Sequence, residues 1–228
     1  MEINKIHDWK MPWTEASELQ KQLAQKIVLK PLKKNIEYAV GVDVSNNLYS
    51  DEIFAAAVVI KIKTLEVVEV QTAVYRALVP YKTGFLSFRE IPAILLALQK
   101  IKTSVGVVIV DGQGIAHPRG LGIASHLGLW LNVPTIGCAK NILYGKFQEP
   151  GPDPFSTSYI SNKDGQIIGA AVRTKKRAKP LIISAGNAID LKSSIDIVLS
   201  LCEGRRLPKT TEKAHEMANL ARKSLIPT

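Results

Sequence analysis

Cysteine is nearly missing from this chain, and acidic residues are outnumbered. The 228 residues include two cysteines, Cys138 and Cys202. These are too few for a disulfide framework and lack the spacing of a metal-ligand cluster, so a reducing cytoplasm is the expected setting. Long apolar runs are absent too, since Lys, Gly or Asp breaks each one before it could span a bilayer. The charged N-terminus has no apolar segment of signal-peptide type. There is no internal repeat or low-complexity segment, and the Pro-rich stretch Glu149–Pro154 is too short to divide the chain. One domain is expected, with residues 1–35 as an N-terminal helical extension and 36–228 as the core. The 30 Lys+Arg outweigh 20 Asp+Glu to give +10. The excess is concentrated at residues 140–228, where fifteen basic residues face eight acidic ones. Clustering of this kind suits a polyanionic partner, nucleic acid first, better than a simple solubility device.

The apolar pattern sets the order of elements. Residues 15–29 carry Leu19, Leu23, Ala24, Ile27 and Val28 on one face, as in an amphipathic helix. Tyr38–Val44, Phe54–Ile62 and Val67–Leu78 read as three strands with short connections, an antiparallel meander. A helix over 88–102, a strand Val105–Val110, a helix Leu121–Leu131 and a strand Val133–Ala139 follow. Asp164-Gly165 between apolar runs signals a hairpin from Tyr159–Ser161 to Ile167–Val172. Leu181–Ser184 is the last strand. A helix capped by Asp190 then runs to Glu203, and a final helix after Pro208 is capped by Thr210 or Thr211. The result is an α/β mixed sheet with helices on both faces, its meander followed by parallel strands. That order matches the ribonuclease H-like arrangement, whose core actin-like ATPases share.

Two acids stand where such a sheet does chemistry. Asp43 lies among valines in Val40-Gly41-Val42-Asp43-Val44, and Asp111 directly follows the β-branched run ending at Val110. An isolated acid there is either turned to solvent or compensated, because an unpaired buried carboxylate is unfavourable. Two of them on neighbouring strands suit a hard, oxygen-ligated divalent cation. Glu90 is the third candidate, although Ser87-Phe88-Arg89-Glu90 also reads as a capping box. Asp111-Gly112-Gln113-Gly114-Ile115-Ala116-His117-Pro118-Arg119-Gly120 places a histidine and an arginine in a glycine-rich loop, where backbone approaches ligands closely. His117 either donates to a phosphate or is satisfied by backbone. Lys140 follows a strand, suited to a developing negative charge, while His126 reads as structural and His215 as helical. Pro80-Tyr81-Lys82-Thr83-Gly84-Phe85-Leu86 mixes aromatic and basic residues, which either stack on bases or tuck into the core. Arg173, Lys175, Lys176 and Arg177, with Lys179, form a basic run suited to phosphates without base specificity.

Taken together, Gly41-Val42-Asp43, Phe88-Arg89-Glu90, Val110 to Arg119, Gly122 to Gly128 and Pro134 to Lys140 resemble the endonuclease V family of deoxyinosine-directed repair nucleases. The resemblance implies a ribonuclease H-like fold and Mg²⁺-dependent hydrolysis, with Mn²⁺ able to substitute. The cut falls at the second phosphodiester 3′ to the inosine and leaves 3′-hydroxyl and 5′-phosphate ends. It also implies Asp43, Glu90 and Asp111 as metal ligands, and His117, Lys140 and His215 around the scissile phosphate. Pro80, Tyr81, Lys82 and Thr83 match a wedge in the duplex, and Gly84, Leu86, Gly112 and Ile123 match the pocket for an extruded base. Backbone at Gly84 or Gly112 is expected to read the ring edge, and Arg119 to join the basic run on phosphates. The wedge departs from the family's Pro-Tyr-Ile-Pro, because Lys82-Thr83 brings a cation and loses the stiffening proline. The expected protein is a monomer on single- or double-stranded DNA, away from membranes. An inosine-directed ribonuclease acting on RNA, or a non-catalytic nucleic-acid-binding protein of the same fold, are the alternatives.

Overall fold

A computed structural model describes residues 1–32 and 35–224. One eight-stranded sheet forms its centre, in the order β3-β2-β1-β4-β5-β8-β7-β6. The meander consists of β1 (Tyr38–Ser45), β2 (Glu52–Lys61) and β3 (Glu66–Arg76), all antiparallel. The strands β4 (Val107–Val110) and β5 (Thr135–Ala139) continue the sheet parallel to β1. Then β8 (Leu181–Asn187), β7 (Ile167–Val172) and β6 (Thr157–Ser161) close it antiparallel. The hairpin between β6 and β7 turns at Asp164-Gly165, where Gly165 has φ +79°.

Helices cover both faces, as the alternating pattern predicts. On one side α2 (Leu86–Gln99) and α3 (Ile123–Trp130) bury Ile91, Ile94, Leu98 and Leu127 against Val40, Val42, Val108 and Val110. On the other, α4 (Leu191–Ser200) and α5 (Lys209–Ser224) cover Val58, Ile109, Ile136 and Ile183 with Val198 and Ala214. Because β2 and β4 are buried on both faces, their residues are mostly Val, Ile and Ala rather than alternating, and β1 buries Ala39, Val40 and Val42 in the same way. A smaller cluster joins α1 (Trp13–Ala24) to the start of α2 through Ala16, Val79, Phe85 and Phe88.

Several boundaries move for local reasons. The first helix ends at Ala24 rather than residue 29, and Val28 instead donates its N–H to Asn187. Helix α2 begins at Leu86, so Ser87 lies within the first turn and makes no cap. Its hydroxyl bonds His126 Nδ1 at 2.9 Å, which removes the capping-box explanation for Glu90. Asp190 does cap α4 by accepting the Ser193 N–H at 2.8 Å. Thr210 and Thr211 do not cap α5, because the helix starts at Lys209 and both are buried inside it.

Candidate active site

Strand register brings the first two acids together. Val42 pairs with Val110 in the parallel β1–β4 ladder, so Asp43 and Asp111 are the next step on neighbouring strands. The Asp111 N–H reaches Val42 O at 3.3 Å. Helix α2 supplies the third acid, Glu90, one turn after Leu86. The Asp43 and Asp111 side chains keep only 12% and 14% of their exposure. Neighbouring strands lie about 4.8 Å apart, and at an effective dielectric near 20 two like charges at that distance repel by roughly 3.5 kcal/mol.

That repulsion is visible in the protonation of the group. Burial first, then the Asp111 charge, pushes Asp43 up to about 6, against the opposing bonds from His215 and the Val44 N–H. Burial and then the charges of Asp43 and Asp111 push Glu90 up to about 8, only partly offset by Arg89. Glu90 makes no hydrogen bond or ion pair among the described residues. The cations present are spoken for. Lys140 Nζ is ion-paired with Asp111 Oδ2. Burial opposes the Lys140 charge, yet the bond to Asp111 and the charges of Asp111 and Asp43 raise its pKa overall. His215 Nδ1 lies 2.7 Å from Asp43 Oδ2, and its Nε2 is 3.1 Å from Asn219 Nδ2. An amide nitrogen donates, so Nε2 accepts and Nδ1 carries the proton given to Asp43. Among the described residues, no three acidic, histidine or cysteine side chains already converge as a finished ligand set. The donor chemistry nonetheless fits a hard divalent cation: three mutually repelling carboxylates, one of them without a partner.

Beside the acids opens a pocket of about 130 Å³, on the order of the ~150 Å³ cavity that admits a benzene ring. Gly84, Leu86, Gly112 and Ile123 all line it, together with Tyr81 and Gln113. Its walls share elements with the acids, since Gly112 follows Asp111 and Leu86 lies on the same helix as Glu90. Gly84 turns into α2 with φ +78°, a conformation that only glycine adopts without strain. The helices α2 and α3 both begin here without a side-chain cap, which leaves first-turn N–H groups at Leu86 and Ile123 without helical acceptors.

Four of the expected site groups make internal contacts. His117 is 4% exposed; its Nε2 donates to Gly84 O at 3.2 Å and its Nδ1 accepts the Arg119 N–H at 3.2 Å. Burial, then the Arg119 charge, lowers it to about 4. It is a neutral wall of the pocket with both ring nitrogens engaged. Arg119 spends its guanidinium on Gln20 Oε1 at 2.6 Å and Gly84 O at 2.6 Å, over the Phe85 ring, so it braces the pocket. The Gly84 carbonyl, which accepts from Gln20, His117 and Arg119, is not open to a base. Arg173 is 7% exposed and ties Gly151 O, Pro150 O, Ala178 O and Glu149 together.

Lys175, Lys176 and Arg177 remain exposed in the loop between β7 and β8. That loop is joined to the acids by Arg206, which donates to Lys179 O and Lys140 O. Sequence reading missed Arg206, along with Gln20 and Asn219; none carries a motif, and each acts through a contact from far along the chain. In the wedge stretch, Pro80, Tyr81, Lys82 and Thr83 are all exposed. His126 is structural, buried between Ser87 and His7, with the two imidazole Nε2 atoms 2.6 Å apart.

The family model for Endonuclease V matches residues 21–216. The chain is 42% identical to the Endonuclease V of Thermosipho melanesiensis over 223 residues, covering 98% of this chain and 97% of that one. It is 47% identical to that of Dictyoglomus turgidum over 203 residues, covering 89% and 88%. The crystal structure of Endonuclease V from Streptomyces avermitilis superposes with a TM-score of 0.90 at 34% identity, over 98% of this chain and 99% of that one. A variant of the Ciona intestinalis enzyme, crystallised with a 23mer DNA containing an inosine followed by a ribo-adenosine, superposes at 0.82 and 26% identity over 94% and 98%. A family model matched over residues 21–216 and relatives more than 40% identical along nearly the whole length show that the chain belongs to the endonuclease V family.

Proposed function

We propose that this protein is a deoxyinosine-directed DNA repair endonuclease, which hydrolyses the second phosphodiester 3′ to the lesion and leaves 3′-hydroxyl and 5′-phosphate ends. The observation that carries the reading is the shared construction of pocket and acids: α2 and the loop after β4 each contribute one carboxylate and one pocket wall. A base in a duplex hides its edge in the stack, so chemistry directed by one base needs that base turned out. The pocket suits a flat ring, and the free N–H groups of Leu86 and Ile123 suit the carbonyl of hypoxanthine. Exposed Tyr81 on its rim offers a ring to stack where the base departs.

Asp43, Glu90 and Asp111 would hold Mg²⁺, with Mn²⁺ as a substitute, and the bound ion would supply charge for water activation and for the departing 3′ oxygen. His215 holds Asp43 by donating from Nδ1, and Asn219 fixes that tautomer. Lys140, beside Asp111, would offer its ammonium to the phosphate. The two free, buried cysteines suit the cytoplasm. Inosine-containing RNA is the second reading, favoured by the ribo-adenosine after the inosine in the Ciona intestinalis complex.

The test offers matched DNA and RNA strands, with and without one inosine, in Mg²⁺ or EDTA. One cut at the second 3′ bond, only with inosine and only with Mg²⁺, is expected on DNA. Binding without product in Mg²⁺ would overturn the nuclease reading in favour of a pure binder.

A further inference from the structure

The turn between β1 and β2 is firmly held although its tip is in solvent. Its tip, Leu48-Tyr49, leaves the side chains 82% and 97% exposed. Tyr49 has φ +62°, the left-handed region that a bulky aromatic side chain rarely occupies. The turn is pinned on both flanks. Arg222 Nη1 donates to Asn47 Oδ1 at 2.7 Å, and Arg89 Nη2 donates to Ser50 O at 2.8 Å. Those anchors belong to the active-site apparatus, since Arg89 precedes Glu90 and Arg222 lies on the helix of His215.

A ladder of polar pairs connects the turn to the acids. Alternate residues leaving β1 meet successive turns of α5: Asp43 with His215, Ser45 with Asn219, and Asn47 with Arg222. From His215 to Arg222 the helix rises about 10 Å, roughly three nucleotide steps at 3.4 Å each. The pocket lies on the opposite side of the acids, formed by α2, α3 and the loop after β4.

We infer that Leu48 and Tyr49, carried beside the Asn219–Arg222 row, form a subsite for the nucleic-acid strand on the 3′ side of the cut. This rests on the proposed function, which puts the lesion in the pocket and the scissile bond over the acids. The strand beyond the bond must then leave toward β1 and α5. An exposed aromatic ring stacks on any base, and Arg222, held by Asn47 and Asn219, keeps positive charge beside it, so the subsite is sequence-tolerant.

The experiment measures binding in EDTA to inosine-containing single strands. One strand stops just past the cut, one extends about six nucleotides further 3′, about twice the length of the ladder, and one is extended equally on the 5′ side. Wild-type protein should hold the 3′-extended strand more tightly than the short one. Tyr49→Ser should weaken that strand roughly five- to hundred-fold, the range of one base stack, and leave the short and 5′-extended strands unchanged. Tyr49→Phe should restore wild-type binding. Equal binding of all strands by Tyr49→Ser and wild type, or a loss that follows the 5′ extension, would overturn the subsite. Melting of the variant, with the side chain already in solvent, should match wild type. Mg²⁺-dependent cutting of the short strand by wild type is read separately, so absence of product there counts against the nuclease reading and not against the strand contact.

Discussion

Gly41 lies flush against Thr210. A Cβ on Gly41 would fall inside contact distance of the Thr210 carbonyl group and 2.7 Å from the Thr210 Cβ. The start of α5 therefore rests directly on β1, two residues before Asp43, and this close seat sets His215 at bonding distance from the acid. Gly41→Ala should lift the helix. Overpacking of this kind destabilises by about 1–3 kcal/mol, to be read as a lower urea midpoint. Cutting should fall further than the stability loss explains, because His215 retreats from Asp43. A variant as stable and active as wild type would contradict this account of the seat.

Asp43→Ala and Asp111→Ala should each eliminate product on inosine DNA. Binding in EDTA should persist or tighten, since each change removes a negative charge from a surface that receives phosphates. Mg²⁺-dependent cutting at wild-type rate by either variant would rule out the carboxylates as metal ligands.

Stability should respond to pH with a definite sign. Glu90 is raised to about 8 from an ordinary 4.5, and Asp43 to about 6 from 3.8. The folded protein therefore binds protons that the unfolded chain releases. Their contribution is fully present at low pH and is lost as pH rises from about 4 through 8. His117, depressed to about 4, and the buried His126, shifted in the same direction, act oppositely: their contribution is present above about 6.5 and fails as pH falls. Glu90→Gln should flatten the alkaline limb of a melting-temperature profile and leave the acid limb alone. Mg²⁺ should raise the melting temperature more at pH 8 than at pH 5.5, because protons compete with the ion for the carboxylates. A Mg²⁺ effect independent of pH would contradict the assignment.

Much of this was legible in the sequence. The buried strands and their order follow from β-branched runs that differ from the helical periods around them. The positions of Asp43 and Asp111 at strand ends then place two acids side by side once the strands are parallel. What could not be read was the fate of long polar side chains. Arg119 and Arg173 look like phosphate ligands because they lie among glycines or other basic residues. Contacts with Gln20, Gly84, Glu149 and Pro150, distant in sequence, turn them inward. The contacts of His117 were hidden for the same reason, since a loop histidine declares its partners only after α1 and α2 have packed.

Salt dependence separates the two kinds of arginine and lysine. Lys175→Ala with Lys176→Ala should lower the slope of log binding constant against log salt by roughly 1–2, since each lost phosphate contact removes about 0.7–0.9. Arg173→Ala should leave the slope intact and lower thermal stability instead, because it strips four partners from a buried guanidinium. A reduced slope for Arg173→Ala with unchanged melting would restore it to the phosphate surface.

Lys82 gives the wedge stretch an unplanned property. Its ammonium stands 5.2 Å from the centroid of the half-buried Trp13 ring and 5.5 Å from that of Phe85. The other two tryptophans, Trp9 and Trp130, stack on each other at 4.5 Å, with Trp9 on the Phe88 side of the same cluster and outside the Lys82 contacts. A strand that draws Lys82 away changes the electric field at one indole and leaves the other pair untouched. The protein thus carries its own optical gauge of strand entry, readable as a change in intrinsic emission without any attached dye.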